Sequence, residues 1–81
     1  MAKKEFYQYV LTHENGNTDD TGIKENLGLF NQFCSVGFVT QGIDGIGNRR
    51  WKITDFGKVQ ISSYLELVEM KEQLYAFLMP R

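Results

Sequence analysis

Eighty-one residues hold one hydrophobic core and not two, and an apolar content of 42% with 14% aromatics excludes a disordered chain. A net charge of −1 excludes a global pull toward nucleic acid, so any such attraction has to be local. One cysteine, Cys34, excludes an internal disulfide and a cysteine-built zinc site, and the first residues alternate polar with apolar types as neither a signal peptide nor a membrane span does.

The expectation is therefore a single cytoplasmic domain over residues 1–81. In chain order, Phe6, Tyr9, Val10 and His13 recur at spacings of three and four, which predicts an amphipathic helix over residues 3–14 ended by Asn15-Gly16. Asn-Gly is also a hairpin signal, but no apolar alternation follows it to supply a second strand. Asp19, Asp20 and Thr21 are capping residues for the next stretch, in which Ile23, Leu27, Phe30 and Cys34 keep helical spacing up to Val36. This stretch is one helix or two, and Gly28 is the expected corner. Cys34, among Phe33, Val36 and Phe38, reads as a core thiol.

From Val36 the period changes. Phe38, Val39 and Thr40 read as a strand, residues 41–48 as a glycine-rich mobile loop, and Arg49 to Thr54 as a return strand alternating basic with apolar residues. Trp51 and Ile53 then share one face, with Arg50 and Lys52 on the other. Thr54 or Asp55 caps a long helix over residues 55–79, stopped by Pro80. Its apolar residues form two stripes: Val59, Ile61, Tyr64, Leu65, Val68 and Tyr75, and then Leu67, Met70, Leu74, Phe77 and Leu78. A domain this small covers only one of them.

The segment Val36-Gly-Phe-Val-Thr, the glycine-rich loop, and Arg-Arg-Trp-Lys-Ile-Thr-Asp-Phe-Gly57 together resemble the wing of winged helix-turn-helix proteins of the PadR or MarR type. The resemblance spans residues 36–68. It implies an α+β fold: a small winged-helix domain with two or three short N-terminal helices (1–35), a two-stranded β-hairpin wing (36–54) and a long C-terminal helix. Each motif residue has a physical task. Gly37 takes the left-handed conformation that stops a helix, Trp51 and Ile53 fix the hairpin to the core, Thr54 caps the last helix, and Gly57 lets that helix approach the hairpin. Phe6-Tyr-Gln-Tyr-Val-Leu-Thr and Ile61-Ser-Ser-Tyr-Leu-Glu-Leu also resemble short stretches of the YozE-like, SAM-like helical proteins, which implies an all-helical fold instead.

The wing resemblance implies DNA binding. Arg49, Arg50 and Lys52, with Asn48 before them, form a basic wing suited to phosphate or minor-groove contact. Asn31 and Gln32, which can read adenine edges, and Lys24 are the candidates on the stunted recognition segment of residues 21–35. Leu67, Met70, Leu74, Phe77 and Leu78 are the expected homodimer interface. The leading reading is a small DNA-binding transcriptional regulator acting through this wing as a dimer. The alternative is a protein-binding winged helix, of phage or mobile-element type, that inhibits or recruits a host protein.

Other signals carry less. Asp55-Phe56-Gly57 spells a kinase tripeptide without a kinase around it, and Gly42, Gly45 and Gly47 lack the lysine-serine pair of a phosphate loop. His13 has no nucleophile in a context to pair with it, and it reads as a helix-end histidine. Glu66, Glu69 and Glu72 read as a solvated helix face and not as a metal cluster. No enzyme activity, cofactor, metal or membrane partner is expected.

Overall fold

The computed structural model describes residues 3–78. Four helices and three strands follow one another as α1 (Lys3–His13), β1 (Asn15–Asn17), α2 (Thr21–Lys24), α3 (Leu27–Ser35), β2 (Val39–Ile43), β3 (Arg49–Ile53) and α4 (Asp55–Leu78). The result is an α+β domain with N-terminal helices, a wing-like antiparallel sheet and a long C-terminal helix, broadly resembling a winged helix. The expected end of the last helix at Met79 and Pro80 lies outside the described residues.

Two boundaries follow from local chemistry as expected. Gly37, at φ 84°, ends α3 in the left-handed conformation. The Phe38 N–H then donates to the Phe33 carbonyl (2.8 Å) and the Gly37 N–H to the Cys34 carbonyl (3.2 Å), while the Phe38 ring packs edge-on against Phe33 with centroids 5.4 Å apart. These are the paired bonds and apolar contact that close a helix with a Schellman turn. At the start of α4 the Thr54 Oγ1 accepts the Gly57 N–H (2.8 Å) and donates to the Gly37 carbonyl (2.7 Å), so one hydroxyl caps the new helix and ties it to the end of the old one.

Three expectations are corrected. The sheet has three strands and not two: its order is β1-β3-β2, with Gly16 opposite Trp51 on one side of β3 and Gln41 opposite it on the other. Asn15-Gly16 thus begins a strand, and the residue that ends α1 is Glu14, a non-glycine at φ 66°. Its carbonyl accepts the Ile53 N–H (2.7 Å) and its carboxylate meets Lys58 (3.1 Å), two contacts that hold the strained conformation. Glycine fits closely two residues later, because a Cβ at position 16 would lie 3.0 Å from Trp51 Nε1, tighter than ordinary van der Waals contact. The corner between α2 and α3 falls at Glu25-Asn26, and Gly28 sits inside α3. Asn26 makes that corner, donating from Nδ2 to the Gly22 carbonyl (2.8 Å). With a three-stranded sheet at its centre, the chain does not form the all-helical fold implied by the YozE-like resemblance.

Phe6, Val10, Ile23, Phe30, Phe33, Val39, Trp51, Ile53 and Ile61 form the core. Every N-terminal helix and two of the strands contribute, but only Ile61 of α4 is a full member. The rest of its first stripe is half-buried (Tyr64, Leu65, Val68) or exposed (Val59, Tyr75), so that stripe is narrower than the sequence implies. Tyr64 packs on Tyr7 of α1, with ring centroids 4.2 Å apart, and Lys4 reaches Glu72 at 2.8 Å. Beyond this ion pair every described residue of α4 is exposed, and the helix projects so that the molecule measures 55 × 23 × 19 Å.

Candidate nucleic-acid interface

Alternation along β3 decides where its cations go. Successive side chains of a strand leave on opposite faces, and Trp51 and Ile53 are buried, so Arg50 and Lys52 stand on the outer face, both exposed. Their cross-strand neighbours there are Asn15 and Asn17 of β1 and Thr40 and Gly42 of β2, all uncharged. The Arg50 guanidinium donates to Asn15 Oδ1 (3.3 Å), which orients it without neutralising it.

Arg49 belongs to the other face. It shares the Trp51 side of β3, opposite Ile43, and lines a groove between the sheet and α3 together with Thr18, Leu27, Asn31 and Gln41. The groove is open and holds about 520 Å³. Thr18 fixes its floor by donating its N–H to the Arg49 carbonyl (3.1 Å). The three cations expected as one cluster are therefore divided, one toward α3 and two toward solvent on the far side of the sheet.

The strands meet in a turn built around Asp44. Its Oδ1 accepts the N–H groups of Ile46 and Asn48, each at 3.0 Å, and Gly47 adopts φ 85° to complete the reversal. The glycine-rich segment expected as a mobile loop is thus a hydrogen-bonded turn. Asn48 lies at its end with an exposed side chain, and Ile43 and Ile46 flank it, 73% and 84% exposed.

On α3 the inward residues are Phe30 and Phe33, which leaves Asn31, Gln32 and Ser35 outward. Asn31 reaches the groove beside Arg49. Gln32 is exposed but is not part of the groove lining, and Lys24, at the last residue of α2, is likewise exposed away from it. Cys34 is half-buried at the core's margin, where its sulfur accepts the Gln41 Nε2–H (3.2 Å). Gln41, Thr18, Asn15 and Asn17 escaped the sequence reading. Gln41 is legible in hindsight as the position opposite Trp51, whereas the others gain a place only through the β1 pairing.

The electrostatic environment is uneven. No acidic residue occurs between Glu25 and Asp44, the stretch that makes α3 and β2. Among the described residues the basic side chains in ion pairs are Lys4, with Glu72, and Lys58, with Glu14, whereas Arg49, Arg50 and Lys52 form none. The hydrogen bond that the Lys4 ammonium donates to the Glu72 carboxylate raises the Lys4 pKa above the ordinary lysine value.

Elsewhere, His13 ends α1 with Nδ1 donating to the Tyr9 carbonyl (2.9 Å) and its ring stacked on Tyr9. The described residues hold no group of three or more histidine, cysteine or carboxylate side chains placed to bind a metal, and no helix long and apolar enough to cross a membrane. Leu67, Met70, Leu74, Phe77 and Leu78 are all exposed on the projecting part of α4. No family profile, curated protein or solved structure matches the chain.

Proposed function

We propose that this domain binds DNA through its wing and does so as a homodimer, in the manner of a small winged-helix transcriptional regulator. The observation that carries this reading is the set of three cations on β3 that no carboxylate neutralises, standing beside a helix whose exposed polar residues are Asn31, Gln32 and Ser35. Arg50 and Lys52, on the outer face, hold phosphates. Arg49 and Asn31, across the groove, approach base edges or the adjoining backbone. The division of the cations between two faces suits a strand whose two sides meet different parts of one duplex.

Affinity on this reading comes mainly from phosphate neutralisation, so it is steeply salt-dependent and weakly sequence-dependent. Arg49→Ala and Arg50→Ala each weaken binding across sequences and each lower the slope of log affinity against log salt by about one. Titration of a fluorescent duplex at several salt concentrations measures both. Absence of any association at micromolar protein in low salt ends the DNA reading.

A second reading draws on Leu27, Ile43 and Ile46, exposed apolar residues around the same groove and turn. A protein partner seated there uses the wing as an apolar lever, and inhibition or recruitment of that partner is then the function. Loss of DNA association in low salt, in a folded protein, is the outcome that favours it.

A further inference from the structure

The exposed half of α4 carries a pattern that specifies how two copies meet. Leu67, Met70, Leu74 and Phe77 follow one another at spacings of three, four and three, which is the a-d-a-d order of a coiled-coil seam. All four are more than half exposed. At 3.6 residues per turn this seam lies roughly opposite the face that carries Ile61, Leu65, Val68 and Glu72 toward α1, so a second helix reaches it without displacing the body. In the same register Glu66 falls at g and Lys71 at e, flanking the seam on its two sides. Lys71 also lines the shallow apolar clefts along it, one with Leu74 and Leu78, the other with Leu67 and Met70.

We infer that α4 pairs with α4 of a second copy as a parallel, in-register two-stranded coil over residues 66–78, closed on each side by an ion pair between Glu66 of one copy and Lys71 of the other. This rests on the homodimer part of the reading above and adds its orientation and register. Charge decides the orientation. In a parallel pair the g residue of one helix faces the e residue five positions further along the partner, which joins Glu66 to Lys71 twice about the two-fold axis. An antiparallel pair that layers Leu67 on Phe77 and Met70 on Leu74 places the axis beside residue 72, where the two Lys71 side chains confront each other and Glu66 finds no cation. Parallel pairing also sets both wings at the same end of the coil, as side-by-side contact with one duplex requires.

Area sets the strength. Leu67, Met70, Leu74, Phe77 and Leu78, each more than half exposed, leave on the order of 500 Å² of apolar surface per copy, toward the upper end of the largest patch on a typical monomer. The roughly 1,000 Å² buried by two copies sits at the lower bound for a specific interface. Polar Gln60 and Ser63 occupy the seam positions before Leu67, so the coil does not extend toward the bodies. A monomer–dimer equilibrium in the micromolar range is the expected behaviour.

Sedimentation equilibrium of the full chain tests the interface, and cysteine cross-linking tests its direction. Leu74→Glu gives a monomer with unchanged circular dichroism. In a Cys34→Ser background, Leu74→Cys oxidises to a symmetric disulfide dimer, whereas a mixture of Leu67→Cys and Phe77→Cys chains yields no cross-link between the two kinds. Glu66→Lys and Lys71→Glu each weaken the dimer by roughly five- to tenfold, and the double reversal restores it. A wild-type chain that stays monomeric at several hundred micromolar overturns the interface, and a dimer that cross-links Leu67→Cys to Phe77→Cys overturns the parallel arrangement. A parallel dimer that ignores DNA sinks the DNA reading and leaves this one standing.

Discussion

Gly57 is buried at the third position of α4, where a Cβ would run into the Phe38 carbonyl. The obstacle is backbone at the start of the wing and cannot rotate away. Alanine there forces helix and hairpin apart, and the loss is about 2 kcal/mol, since such overpacking outweighs the helix propensity gained. Gly28 is the control: it is also helical, but a Cβ there meets nothing within 4 Å. Gly28→Ala is therefore expected to stabilise by up to about 1 kcal/mol, so the same substitution has opposite signs at two sites in urea melts. Tyr9 supplies a pH test. Burial, and then the nearby Asp20 carboxylate, raise its pKa above the ordinary 10.0. The folded state holds this proton more tightly than the unfolded chain, so the stability concerned is complete below pH 10 and drains away as pH rises through the folded value. Tyr9→Phe removes that titration, and its alkaline melting limb above pH 10 is shallower than the wild type's.

At the scale of elements, α4 is two things joined end to end. Its first part is capped by Thr54, anchored by buried Ile61 and tied to α1 through Tyr64 and the Lys4–Glu72 pair, while every described residue of its last part, from Gln73 on, is exposed. The ion pair is exposed and adds little, so Ile61 and the half-buried Leu65 and Val68 do most of the anchoring. Truncation after Gln73 removes no described residue that is buried. The shortened chain is expected to keep its urea midpoint at low protein concentration. A large loss of midpoint would mean that the projecting segment contributes to the core after all. The wing is the opposite case, an element with both ends fixed: Thr54 and Gly37 bind its base, and the Asp44 carboxylate closes its turn. Such a hairpin holds Arg50 and Lys52 at a set distance from α3.

Across the whole molecule, charge is unevenly distributed. Between Asp55 and Leu78 there are four acidic residues against two basic ones, whereas β3 carries cations alone. A net charge of −1 therefore averages over a basic β3 and an acidic α4. What the sequence by itself determined are the features set by neighbours within a few residues. The left-handed stop at Gly37, the Thr54 cap, the close approach at Gly57 and the burial of Trp51 and Ile53 all follow from local sterics, hydrogen bonding and the period of a strand. Only the tertiary structure decided what depends on a distant partner. Asn15-Gly16-Asn17 has no apolar alternation, and it is a strand because β3 offers it an edge, with Gly16 fitting closely against the Trp51 ring opposite. The same pairing surrounds Arg50 with asparagines, and the strand's own alternation then sends Arg49 to the α3 side. In α4 both stripes are apolar enough to be buried, and packing against α1 covers part of the first, which leaves the second stripe exposed.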